Sequence, residues 1–274
     1  MQTTRTNTTL GQAALGFLEV LYHTIVRNVR VESGNAALGV LTQVGRMLVL
    51  VGMFYLMYEY LFTGMRRSLI RGDFVLFILS GVFLFFLHNN AVSKTLAAGN
   101  AVGPMMVHAP MTPMLSILAG ALASLYTQTL AAAIILFFAY VLRDGLTIED
   151  PAAALAPYML AWLSGVVVGL VFLLAKPFAP RLVGILSMVY LRLNLFTSGK
   201  FFVANALSGS MVAWFGWNPL FHCIDQMRGA LFVNYFPHVT TLAYPVWFCV
   251  TGLVLGLMGT HWMRGTVSRS TGKR

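Results

Sequence analysis

Six long apolar runs fill most of this chain: Leu38–Phe62, Phe74–Val92, Met114–Leu142, Leu155–Ala175, Leu182–Phe202 and Leu242–Trp262. A helix crossing the hydrocarbon core needs roughly 20 apolar residues. In lipid, only helices and closed barrels satisfy their own backbone polar groups. A soluble domain does not carry so many uncharged stretches. The expected fold class is therefore all-α, a polytopic membrane protein with six transmembrane helices. The spans and their loops use up nearly all of the 274 residues, so no separate soluble domain is expected. The organisation read from this is a cytoplasmic tail and interfacial helix over 1–35, a membrane domain over 36–264, and a cytoplasmic tail over 265–274.

Charged residues make up only 9% of the chain, yet the formal charge is +10. Arginine and lysine flanking membrane spans produce such a balance, because they set orientation. No cluster of basic residues with interleaved aromatics appears, so a nucleic-acid partner is not expected. With the N-terminus inside, Arg5, Arg27, Arg30, Arg46, Lys94, Lys176, Arg181, Arg264, Arg269, Lys273 and Arg274 fall on the cytoplasmic side. The acidic loop Arg143–Pro151 falls outside, and so does the loop Gly64–Asp73 with Arg66, Arg67 and Arg71, which runs against the rule. No secretory signal peptide is visible, and insertion is expected to use an internal span. Cys223 and Cys249 have no metal-ligand spacing; a bridge between them stays open.

Ahead of the first span, Leu15, Leu18, Tyr22, Ile25 and Val29 recur at spacings of three and four, with Gln12, Glu19, His23, Arg27 and Arg30 opposite. That pattern predicts an amphipathic helix over Gln12–Arg30, lying in the membrane interface or packed on the bundle. Glu32–Asn35 is expected to break it. Arg46 lies about two turns inside the first span, where it either snorkels or faces a polar interior. The stretch Ala97–Pro113 is rich in Gly and Pro and reads as a short interfacial helix bounded by turns. Asn194–Pro237 is apolar and aromatic but broken by Gly199, Gly209, Gly216, Pro219 and Gly229, as short re-entrant helices would be. Within it, Asp225 and Arg228 have the spacing of a local helix pair.

Catalytic signatures are missing. There is no GxxxxGK[ST], HExxH or GxSxG. His222 near Ser208 and Ser210 lacks a nucleophile turn and reads as a structural hydrogen-bonding group. The small-residue pairs Gly165–Gly169 and Gly252–Gly256 read as helix packing, within the bundle or across a dimer. What remains is a membrane path without a motor, which points to a partner that supplies energy.

Three stretches carry a family resemblance: DFVLFILSGVFLFFLHNNAVSK over Asp73–Lys94, PMTPML over Pro110–Leu115, and NPLFHCIDQMRGALFVNYF over Asn218–Phe236. With the order of elements, they resemble type-2 ABC transporter permeases, within these the capsular polysaccharide exporters. The resemblance implies a transport subunit rather than an enzyme, in the bacterial inner membrane with both termini cytoplasmic. It implies a homodimer bound to two cytoplasmic ATPase subunits, which carry ATP and Mg while this chain holds no cofactor. Periplasmic and outer-membrane export components, membrane lipids and a lipid-linked polysaccharide complete the expected partners. The coupling helix would hold Val102, Gly103, Pro104, Met105, Met106 and Pro110. A lateral gate would use Tyr22, Arg27 and Arg30, and a periplasmic gate the motif Asn218, Pro219 and Leu220. Aromatic rings give a sugar polymer stacking faces, and cations bind its acidic groups. The channel candidates are therefore Tyr55, Tyr58, Tyr190, Phe196, Trp214 and Trp217, with Arg46, Arg192 and Lys200. A permease for a lipid, an O-antigen-like glycan or a drug is the nearest alternative; a membrane-embedded enzyme or scaffold is the alternative from another class.

Overall fold

A computed structural model describes residues 10–31, 36–61, 73–105, 113–143, 145 and 147–271. The helices are α1 (Leu10–Val31), α2 (Ala36–Leu61), α3 (Phe74–Met105), α4 (Pro113–Leu142), α5 (Pro151–Ala175), α6 (Pro180–Thr197), α7 (Gly209–Phe215), α8 (Pro219–Leu231) and α9 (Ala243–Thr271), with a 3₁₀ turn at Ala204–Ala206. No strand occurs among the described residues. The protein is an all-α, multi-pass membrane protein: α2, α3, α4, α5 and α9 are each long and apolar enough to span a bilayer.

The predicted fifth span is the exception. Its helix α6 stops at Thr197, not Phe202. At 18 residues it is about 27 Å long, just short of the hydrocarbon thickness. The chain leaves the helix through Gly199 at φ 75°, a left-handed conformation that glycine adopts without strain. The second span differs in the other direction. Lys94, Asn100, Gly103 and Pro104 end the apolar run, yet α3 continues unbroken through them to Met105. The described part of the segment expected to be a separate interfacial helix is thus the end of α3.

Helix α3 is apolar on every side, which is the pattern of a helix enclosed by others. In its apolar window 78% is buried, against 17% in α9. Helices α4, α5, α8 and α2 all pack on it. Close approach on the α5 side depends on missing side chains. A Cβ at Gly165 would run into the His88 carbonyl, and one at Gly169 would lie 2.7 Å from Thr95 Cβ and 2.8 Å from Val92 O. Likewise Gly252, Gly256 and Gly259 of α9 receive Val167, Leu170 and Leu174 of α5. Both small-residue motifs therefore pack within one chain.

Helix caps fix the ends. Asp73 accepts from the Val75 N–H at the start of α3 and pairs with Arg143 at the end of α4. Asp150 accepts from Ala152 and Ala153 N–H at 3.0 and 2.9 Å, with Pro151 opening α5. Helix α1 forms as expected but is turned. Leu21, Val29 and Thr24 are buried, with Leu21 and Ile25 against Leu115 and Ala119 of α4, while Leu15, Leu18 and Tyr22 remain exposed. Packing on the bundle and an apolar face left for lipid thus occur together. Glu32–Asn35 and the three arginines of Gly64–Asp73 lie outside the described residues.

Candidate functional site

Two regions bring the sequence-predicted residues together. The first is the outer face of α2. Leu38, Leu41, Arg46, Val49 and Met53, with Phe86 of α3, border an open groove of about 970 Å³. Arg46 is exposed in its middle and bonds to no described residue. Helix α6 shows a similar face: Ile185, Met188, Val189, Leu193 and Phe196 are exposed, and Arg192 is exposed among them. A charge at bilayer depth costs at least about 2.5–3.5 kcal/mol, and such residues usually line protein or water rather than lipid. The helices α2 and α6 are linked near one end. There Phe54 meets the Phe201 ring at 4.3 Å, and the Tyr58 hydroxyl donates to the Phe201 carbonyl.

The second region is the corner formed by the end of α6, the turn after it, and α8. Nearly all of α8 is buried. Its residue Arg228 is 1% exposed, and its guanidinium donates to the carbonyls of Gly199 (3.0 Å), Phe202 (2.6 Å) and Lys200 (2.9 Å). The same guanidinium lies 4.0 Å above the Phe77 ring. One turn on, Gly81 makes room for the Lys200 backbone, and another turn on Phe85 lies 3.2 Å beneath the Lys200 ammonium. Phe77, Gly81 and Phe85 thus form one α3 stripe that seats the buried Arg228 and Lys200 side chains. Asp225 does not pair with Arg228 as the helix spacing suggested. Its carboxylate accepts from the Tyr235 and Thr240 hydroxyls. Longer-range partners beyond the helix win over the i,i+3 neighbour.

A chain of polar side chains leads from this corner into the bundle. Asn218 caps α8, accepting from Leu220 N–H at 3.0 Å. Its amide donates to Asn194 Oδ1 at 2.8 Å and to Thr197 Oγ1 at 3.0 Å. Asn194 donates in turn to Asn89 Oδ1 at 3.0 Å. Next to Asn89, His88 has Nδ1 3.1 Å from Ala161 O and Nε2 2.9 Å from the Tyr190 hydroxyl. The carbonyl places the proton on Nδ1, so Nε2 accepts from Tyr190. Apolar packing holds α6 only weakly, and these bonds fasten it to α3 and to the start of α8, while His88 ties α3 to α5. The expected role of His222 agrees with the geometry: Nε2 donates to Gly216 O at 3.0 Å and Nδ1 accepts from Thr241 N–H at 3.3 Å.

The channel candidates therefore divide. Arg46, Tyr55, Arg192, Phe196, Trp214 and Trp217 are exposed. Tyr58, Tyr190 and Lys200 turn into the protein. Of the gate helix, Tyr22 is exposed, Arg27 is half-buried and Arg30 lies on α1. Asn218, Pro219 and Leu220 begin α8 and are buried, not at a surface. Val102, Gly103, Pro104 and Met105 continue α3, while Met106 and Pro110 lie outside the described residues. Cys223 and Cys249 are both buried and free, so they form no bridge. Asn89 and Asn194 are not singled out in the sequence; side-chain amides inside apolar helices are the signal available.

Replacing Asn218 separates its two jobs. Asn218→Ala removes the cap and takes the Asn218 donor from Asn194 Oδ1, so the purified chain should lose about 0.5–2 kcal/mol from the cap alone. Asn218→Ser keeps an acceptor for the cap but is too short for Asn194, and its melting temperature in detergent should fall between wild type and Asn218→Ala. Equal melting of the two variants would show that the cap contributes nothing.

No protein-family model matches the chain. Two curated relatives do, both named polysialic acid transport protein KpsM, from Escherichia coli. One is 22% identical over 237 residues, covering 85% of this chain and 88% of the relative. The other is 22% identical over 236 residues with the same two coverages. The likeness to these two polysialic acid transport proteins thus runs along most of the length of both chains.

Proposed function

We propose that this chain is the membrane-spanning permease subunit of an ATP-driven ABC exporter, moving a lipid-linked capsular or other surface polysaccharide across the bacterial inner membrane. The observation that carries this reading is the likeness to two polysialic acid transport proteins over 85% of this chain and 88% of theirs. The absence of a nucleotide-binding motif from the sequence agrees with ATP being hydrolysed on a separate subunit.

In this account two copies of the chain face each other through their α2 and α6 surfaces. Each arginine then has a polar interior to face, which removes the cost of leaving it in lipid. Arg46 and Arg192 attract the acidic groups of the polymer or its phosphate linkage, and Tyr55, Phe196, Trp214 and Trp217 offer stacking faces. Two cytoplasmic ATPase subunits dock at the Met105 end of α3 and draw energy from bound ATP and Mg. The α1 face bearing Tyr22, with Arg27 and Arg30, guides the lipid anchor in from the side. Asn218, Pro219 and Leu220 anchor the buried base of the outer gate, whose exposed part is α7. Periplasmic and outer-membrane components receive the polymer. The membrane domain does no covalent chemistry.

The test is complementation of a strain lacking this gene. Wild-type chain should restore surface polysaccharide. Arg192→Ala should restore little, at unchanged protein level and assembly. Export that survives Arg192→Ala intact would remove that residue from the path. Surface glycan unchanged by loss of the gene, with drug or lipid efflux altered, would replace the substrate class.

A further inference from the structure

Helices α4 and α5 both pack on α3 but barely touch each other near the Asp73 end of the bundle. Between them lies a crevice of about 280 Å³, floored by Leu79 and Phe83 of α3 and closed behind by Met227 and Leu231 of α8. Ala133 of α4 and Ala154 of α5 also line it, with side chains too small to fill it. Along α3 it runs from Leu76 to Leu84, about 12 Å parallel to the helix axes. The Thr129 and Tyr158 hydroxyls bond across it at 2.8 Å and clasp its inner end. Deeper still, Trp162 ties α5 to the Ala121 carbonyl at 3.0 Å. Thr129 and Ala133 are exposed at the surface of the bundle.

Water has no place there. A buried water needs two to four polar partners, and apolar cavities stay dry. Among the described residues, the polar side chains lining this crevice are Ser80, Thr129 and Tyr158. Ser80 is already bonded to the Phe77 carbonyl at 2.8 Å, and the other two are bonded to each other. A void in contact with the bilayer is filled by what surrounds it. The hydrocarbon at its mouth is the tails of bilayer lipids, and these run in the same direction as the crevice.

We propose that this crevice is a binding site for one acyl chain of a bilayer phospholipid, which completes the packing between α4 and α5. The full-length chain, with whatever subunits co-purify, is reconstituted into phosphatidylethanolamine–phosphatidylglycerol vesicles. These are doped with phosphatidylcholine that bears a diazirine midway along one acyl chain. After photolysis, peptide mass spectrometry should find adducts on Ala133, Ala154 and Tyr158 in excess of those on Phe137 and Leu155, which face outward at similar depth. The crevice-filling pair Ala133→Leu with Ala154→Leu should lose these adducts while keeping those on Val250 and Leu255 of α9. Should the pair fail to fold, Ala154→Val fills less and carries the same expectation. Adducts no denser in the crevice than on Phe137, or unchanged on filling, would overturn the proposal. So would Ala133→Cys cross-linking two copies through the crevice, since a second chain would then occupy it. Neither result depends on what the protein transports.

Discussion

Replacing Gly165 with leucine should abolish the folded bundle. The added side chain has no room, because even a Cβ at that position meets the His88 carbonyl and lies 3.0 Å from the Ala91 Cβ. The obstacle is backbone in the most buried of the described spans, which cannot rotate aside as a flexible side chain can. Overpacking a well-filled core costs about 1–3 kcal/mol and occasionally more. Here the cost falls on the α3–α5 contact, the principal one in the bundle. Moving α5 outward also breaks the His88 bond to Ala161 O. Gly184 provides the comparison. It too lies inside a helix, but a Cβ there meets nothing within 4 Å. Gly184→Ala should hold or raise the melting temperature, since alanine is better than glycine in a helix by about 0.8–1.0 kcal/mol. Thermal stability in detergent, followed by fluorescence-detected size exclusion, reads both. A Gly165→Leu protein that elutes and melts like wild type would mean that α3 and α5 do not pack in this register.

The second large effect is expected at Arg228. Arg228→Met removes the donors that hold the carbonyls of Gly199, Lys200 and Phe202. Each buried acceptor left unsatisfied costs about 1–3 kcal/mol. The summed loss should be about 3 kcal/mol or more. Arg228→Lys should not rescue it. A guanidinium presents a planar fork and stacks on an aromatic ring, whereas an ammonium is a compact point charge. The three carbonyls and the Phe77 ring match the first shape only. The damage should be local at first, so limited proteolysis of the turn over 199–207 should accelerate before the bundle melts. If Arg228→Lys behaved like wild type, the fork geometry would be irrelevant, and charge alone would hold the turn.

What the sequence reveals and conceals follows from the range of the forces involved. Apolar runs report burial or lipid contact directly, so α2, α4 and α5 begin and end close to the predicted limits. The amphipathic stretch before the first span is a helix, but its rotation is set by which face α4 accepts, and Leu21 is chosen over Leu18. The apolar pattern ends the second span at Val92. Helical backbone does not need an apolar sequence, and α3 runs on to Met105. The end of α6 is decided by Arg228, 31 residues after Thr197 by the numbering, gripping the turn that follows. No local signal carries that.

Side chains in the candidate site follow the same division. Tyr58 and Tyr190 are channel candidates in the sequence because aromatic rings give a sugar polymer stacking faces. Hydrogen bonds to Phe201 and His88 direct both hydroxyls inward. Lys200 looked like a cation for anionic sugars, yet its ammonium lies on Phe85. These contacts join residues far apart in the chain. Arg46 and Arg192 are exposed and bond to no described residue, and a charge in an apolar run is conspicuous by itself.

The central claim is that this chain is half of a two-component exporter. Gentle affinity purification from its native membrane, with mass spectrometry of the proteins that accompany it, tests this most directly. A soluble subunit carrying a GxxxxGK[ST] motif, present in equal amount to the chain, is the predicted result. No such subunit, in a detergent that keeps control complexes whole, would contradict the account and bring the membrane enzyme or scaffold forward.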